Sequence, residues 1–138
     1  MVDDQAQPAL EANTCELNQD SGIAYFDSAA GTASGNTCRG NTAEGILVTD
    51  HARPTLEANT CEQNQMVGIA YFANGGGTAR RNICQANEFW GIGVAQQGAP
   101  RLEGNTCVEN RLGPLDVDST ARPILEKAQR KARRWWQG

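Results

Sequence analysis

The sequence predicts an all-β fold: a parallel β-solenoid of about five 23-residue coils, closed by a short C-terminal capping helix. Three observations carry this prediction. About residues 2–126 of the 138 align with themselves on a 23-residue period without a gap. Each period holds short apolar segments bounded by turn residues, and none of them offers ten residues of helical pattern. The same residue types recur at the same place in successive periods, so the inward side chains stack in columns.

Composition narrows the function classes. A low apolar fraction and a net charge of −4 are features of disordered chains. The fixed register of apolar residues argues against disorder here. Residues 1–126 carry seven Arg and no Lys against sixteen acidic residues, whereas 127–138 carry five basic residues and no acid. An acidic body disfavours nucleic acid as a partner. No apolar run is long enough to span a membrane. Met1 is followed by Asp3 and Asp4, so no signal peptide is visible. No cofactor is expected. The compartment stays open, although reduced cysteines would suit the cytoplasm.

The elements follow in order within each period. Leu10, Leu56, Leu102 and Leu125 share a column with Ala33 and Ala79, and stand for the inward residue of a first short strand. Asn13, Asn36, Asn59, Asn82 and Asn105 mark the turn after it. Cys15, Cys38, Cys61, Cys84 and Cys107 give the second strand one inward residue each. Five thiols a full coil apart do not match zinc-ligand pairs, and an inward Cys behaves as a small apolar residue. Asn18, Asn41, Asn64, Asn87 and Asn110 mark the next turn. Stacked Asn side chains can bond from coil to coil, and Asn tolerates a left-handed backbone. Gly22, Gly45, Gly68 and Gly91 then lead into the third strand, with Pro114 breaking the column. That strand alternates, with Ile23, Ile46, Ile69, Ile92 and Leu115, then Tyr25, Val48, Tyr71, Val94 and Val117, facing inward.

These units resemble the right-handed parallel β-helix repeat family, whose members carry N-x-I-x-x-N-x-x-x-G-I-x-V. Here the units are Asn13–Tyr25, Asn36–Val48, Asn59–Tyr71, Asn82–Val94 and a degraded Asn105–Val117, with Cys in the usual Ile position. The resemblance implies the fold over about residues 2–126. For function it implies a range, from pectate-lyase-like enzymes and sugar-binding proteins to repeats that serve as binding surfaces. A leucine-rich repeat shares part of the spacing. In that fold a buried Leu stands where Asn stands here, and the return segment is not a Gly-containing strand.

Both ends leave the pattern. Val2, Asp4 and Pro8 fall in the columns of Val48, Asp50 and Pro54, so the sequence starts in mid-coil, either as a piece of a longer array or with a partial first coil, and the open edge predicts self-association. At the other end Leu125, Ala128, Ala132 and Trp135 or Trp136 share a helical face. Lys127, Arg130, Lys131, Arg133 and Arg134 cover the rest. Residues 127–138 therefore read as a basic amphipathic helix that caps the core, the alternative being a surface for an acidic membrane or partner.

Candidate functional residues lie outside the inward columns. Asp4, Asp27 and Asp50 stack in one column with Asp3 and His51 beside them. Stacked acids repel, and a cation would relieve this, so the column is a weak candidate for metal binding or polysaccharide cleavage. It also sits at a strand end, where Asp is a common turn residue. His51 reads as solvated. Arg39 between Glu16 and Glu62, and Arg80 between Glu57 and Glu103, read as exposed charge ladders. The Thr14, Thr37, Thr60 and Thr106 column reads as outward strand Thr. One turn is apolar where turns should be polar: Met66, Val67, Phe89, Trp90 and Leu112 predict an interface. Phe26 and Phe72 follow inward Tyr residues and should point outward, to stack a sugar or join that interface. The first functional reading is a non-catalytic repeat module for protein binding or self-assembly. The second is a carbohydrate-binding or polysaccharide-cleaving β-helix that uses Asp4, Asp27 and Asp50.

Overall fold

The computed structural model describes residues 1–125; the expected capping helix lies outside the described residues. Three parallel sheets run along one axis. Sheet 1 contains Ile23–Tyr25, Ile46–Val48, Ile69–Tyr71, Trp90–Val94 and Gly113–Val117. Sheet 2 contains Ala9–Glu11, Thr32–Ser34, Thr55–Glu57, Gly76–Arg80, Ala99–Glu103 and Ile124–Leu125. Sheet 3 contains Thr14–Glu16, Thr37–Arg39, Thr60–Glu62, Ile83–Gln85 and Thr106–Val108. Each residue pairs with its equivalent 23 places on, as in Cys38 with Cys61, Leu56 with Ala79 and Ile46 with Ile69. The sequence period is thus one coil, and the predicted β-solenoid of about five coils is present.

Left-handed backbone makes the corners. Ala12, Ala58 and Arg81 share one corner column with Gly35 and Gly104, all at positive φ. Leu17, Gln63, Ala86 and Glu109 share a second with Gly40. The left-handed residue is the one before each Asn, not the Asn. The Asn columns have a different task. Asn59 donates from Nδ2 to the Ala33 carbonyl at 2.9 Å and to Asn82 Oδ1 at 3.0 Å. Its own Oδ1 accepts from the Asn36 backbone N–H at 2.9 Å and from Asn36 Nδ2 at 3.0 Å. Buried backbone groups that a corner takes out of the sheet ladder are thereby satisfied from coil to coil.

The core is a column of Ile, Leu, Val, Tyr and Cys, with the inner rungs buried. Coils alternate in pairs: Leu56 between Ala33 and Ala79, Tyr71 between Val48 and Val94, Pro54 between Gly31 and Gly77. Large and small residues thus compensate along the axis, which preserves packing density. Tyr25 and Tyr71 are fully buried, and their hydroxyls have no hydrogen-bond partner among the described residues. Burial pushes the Tyr25 phenol up to about 12 and raises Tyr71 as well. A phenol whose pKa is raised in the folded state contributes stability that is present below its unfolded value and lost as pH rises through the folded value. These are the chain's two tyrosines. Tyrosinate absorbance is therefore expected to stay absent past the ordinary phenol range near pH 10. It should then appear together with loss of β-sheet circular dichroism. Ordinary titration with the sheet signal intact would place a phenol in solvent.

The five thiols are free. Hydrogen bonding to Cys38 and then burial raise the Cys61 thiol; bonding to Cys84 and then burial raise Cys107. Protonated, stacked thiols are poor nucleophiles and poor metal ligands, so the Cys column serves as core.

Candidate functional site: the outer face of sheet 1

Alternation in sheet 1 sends Ile and Tyr or Val inward and leaves one outward column of Ala24, Leu47, Ala70, Gly93 and Asp116. Two margins flank it. Ser21, Glu44, Val67 and Trp90 stand on the entering side; Phe26, Thr49, Phe72 and Ala95 stand on the leaving side. The Phe26 N–H donates to the Val2 carbonyl at 2.8 Å and the Phe72 N–H to Val48 at 2.9 Å, so ladder bonds hold both backbones. Both Phe residues are half-buried, consistent with the outward direction expected of them.

Over the first coils the face is open. Met1, Asp20, Ser21, Gly22, Ala24, Phe26 and Leu47 surround a shallow hollow of about 170 Å³. Its entering wall is polar. Ser21 Oγ donates to the Glu44 carboxylate at 3.0 Å, and Glu44 is only 6% exposed. Farther along, the face closes over itself. Val67 was expected to project from the turn, yet it is 6% exposed. It packs over Gly93 of the next coil, where even a Cβ would meet Val67 Cγ1 at 3.5 Å, an ordinary van der Waals contact. Val67 therefore folds down onto the next coil, and its part in an exposed surface is corrected. Met66, Phe89 and Leu112 do remain exposed, at 36%, 37% and 41%. Trp90 is half-buried and meets Phe89 edge-on, with ring centroids 6.3 Å apart. An apolar band therefore runs along this side of the solenoid.

The stacked aspartates occupy the third corner column, at φ 56, 56 and 59° for Asp4, Asp27 and Asp50. The Asp27 carboxylate accepts the Asp4 N–H at 3.0 Å, and the Asp50 carboxylate accepts the Asp27 N–H at 2.9 Å. Two of the three carboxylates thus close corners in the way Asn does elsewhere. Exposed His51 follows the column and donates its backbone N–H to the Asp27 carbonyl at 2.8 Å. Among the described residues no group of three or more His, Cys, Asp or Glu side chains is arranged to hold a metal. Arg39 pairs with Glu16 at 2.8 Å. Arg80 and Arg81 both pair with Glu57, while Glu103 pairs with Arg101, so the second charge ladder differs from the expected Glu57–Arg80–Glu103 order.

Two acids went unremarked in the sequence. Asp116 stands outward where earlier coils place Ala, Leu, Ala and Gly, and Asp118 replaces Phe26 and Phe72 in the leaving margin. The signal was the break in small residues at Leu115-Asp116-Val117-Asp118. Burial, then the neighbouring Asp118 charge, raises the Asp116 carboxyl above its usual range. Asp118 is held below that range, first by the Gln96 N–H and then by the Thr120 hydroxyl. The signs are opposite. Asp116 contributes stability below its unfolded pKa that is lost as pH rises through the raised folded value. Asp118 contributes stability above its unfolded pKa that is lost as pH falls through the lowered folded value. Asp116→Asn is expected to raise the neutral-pH melting temperature and Asp118→Asn to lower it, with both differences shrinking towards pH 3 in a melting series.

Comparison with known proteins decides the family. The family described as the right-handed beta helix region matches residues 1–123. This chain belongs to the right-handed β-helix family. No curated protein matches the sequence. Among solved structures, the crystal structure of the periplasmic alginate epimerase AlgG is similar to this right-handed β-helix, with a TM-score of 0.76 at 20% identity. The match covers 86% of this chain and 33% of AlgG, so the β-helix spans about a third of that protein's length. At this identity the likeness shows the shared fold alone.

Proposed function

We propose that this β-helix is a non-catalytic binding module whose outer sheet 1 face takes a polysaccharide. One observation carries the reading: half-buried Phe26 lines an open hollow with Ala24 and Leu47, together with Asp20 and with Ser21, whose hydroxyl is held by buried Glu44. An aromatic or apolar wall facing a few placed polar groups suits a sugar ring, which has apolar faces and a hydroxyl rim. The fold is one that also serves a protein acting on alginate. Binding without turnover is favoured over cleavage because the Asp27 and Asp50 carboxylates are occupied by corner N–H groups. The excess of acid in residues 1–126 favours a neutral ligand over a polyuronate.

The test is electrophoresis through gels containing neutral or acidic polysaccharides, with reducing ends assayed with and without calcium. Retardation by a neutral polymer, no new ends and no effect of Asp27→Asn are expected. Calcium-dependent cleavage lost in Asp27→Asn would replace this reading with the catalytic one. A protein-binding or self-assembly module has its own support in exposed Met66, Phe89 and Leu112. It predicts a concentration-dependent solution mass that Phe89→Asp with Trp90→Asp abolishes, and no polysaccharide binding.

A further inference from the structure

The leaving margin of sheet 1 reads Phe26, Thr49, Phe72, Ala95, Asp118, so it sets one pair of Phe residues two coils apart before Asp118 takes the next such place. The register Tyr25 to Val48 to Tyr71 fixes this spacing, because each step is one rung of a parallel ladder. Two rungs are about 9.5 Å. The same two-coil alternation runs through the core, where Tyr71 is flanked by Val48 and Val94 and Leu56 by Ala33 and Ala79. The aromatic spacing is therefore tied to the packing of the solenoid. The outward floor between the two Phe residues is Ala24 and Leu47, both partly exposed, and then Ala70, which is fully buried; none of the three is charged. Arg39, Arg80, Arg81 and Arg101 are committed to Glu partners on sheets 2 and 3.

Resting on the reading that this face binds polysaccharide, we propose that its ligand is a neutral, extended, β-linked glycan lying along the solenoid axis, with Phe26 and Phe72 as successive ring platforms. Each sugar of such a chain is turned over relative to its neighbour, so equivalent ring faces recur at every second sugar. That recurrence is close to two coils. Thr49, between the platforms, meets the intervening sugar, which presents its other face and needs a hydroxyl rather than a ring. An α-1,4-linked glucan coils instead of extending and cannot set equivalent faces on both Phe residues. A polyuronate would bring a carboxylate to each rung beside Asp20 and Glu44, and no Arg side chain stands in the Ala24–Ala70 floor or its two margins among the described residues.

Calorimetric titration with cello-oligosaccharides from two to six sugars, malto-oligosaccharides of the same lengths and an oligoguluronate tests this. Thr is the natural test residue, since the same column already holds Thr49. The expected result is affinity for the cello series that rises at least tenfold between the disaccharide and the tetrasaccharide. Phe72→Thr should remove that rise, and Phe26→Thr with Phe72→Thr should abolish binding. Melting curves confirm that each variant is folded. If a polysaccharide binds but the malto series binds as tightly, or affinity does not depend on length, or the Phe variants bind normally, the two-platform assignment is overturned and the binding module stands. If no glycan or polymer binds, both fail.

Discussion

Asn64→Ala is expected to lower the unfolding free energy by about 3–6 kcal/mol, enough to unfold a domain of ordinary stability. Asn64 is fully buried. Its Oδ1 accepts from the Asn41 backbone N–H at 3.0 Å and from Asn41 Nδ2 at 2.9 Å. Its Nδ2 donates to the Cys38 carbonyl at 3.1 Å and to Asn87 Oδ1 at 3.0 Å. Truncation leaves a buried backbone donor and a buried carbonyl each short of a partner, and each such loss costs about 1–3 kcal/mol. The ladder has a direction, and this supplies the control. Asn18 donates to Asn41 Oδ1 from its N–H and Nδ2 and is itself exposed. Asn18→Ala should cost under about 1.5 kcal/mol. Urea unfolding of the two variants measures the difference, and equal losses would mean that the rungs do not stabilise in the way described.

Gly77→Ala is expected to cost about 3 kcal/mol. Gly77 has φ +87°, and a Cβ there would lie 2.1 Å from the Pro54 carbonyl oxygen. The backbone conformation costs an L-residue about 1–2 kcal/mol, and forcing the neighbouring coil aside adds about 1–3 kcal/mol. Gly35→Ala separates the two effects. Gly35 has φ +65° but open space where the Cβ would go, so only the backbone cost applies, about 1 kcal/mol. Chemical denaturation resolves the two. Similar losses would show that coil-to-coil crowding at Gly77 contributes little.

The columns made the solenoid readable from the chain because each coil repeats the same constraint. An inward Cys61 must meet an inward Cys38 and Cys84, and any register slip would turn Thr60 or Glu62 into the core. Corner geometry was less legible. Asn is a familiar left-handed residue, yet Ala12, Leu17 and Ala58 carry the positive φ. The Asn side chains are needed for bonds to the neighbouring coil. The site was legible only in part. Phe26 and Phe72 follow from strand alternation. Val67 does not, because it is buried against Gly93, a residue of a different coil. The Ser21–Glu44 pair was equally hidden: a buried carboxylate in a turn is known only when the serine one coil away is seen to meet it. Asp27 and Asp50 looked like stacked free charges, and the corner N–H groups that occupy them belong to backbone geometry.

Inward columns form the scaffold, and the proposed binding face is the outside of sheet 1. Hydrogen–deuterium exchange with and without saturating cellohexaose tests this most directly. The predicted result is added protection confined to segments 20–27, 43–50 and 66–73, with segments 32–39, 55–62 and 78–85 unchanged. Protection concentrated on those sheet 2 and sheet 3 segments, or none anywhere, would contradict it.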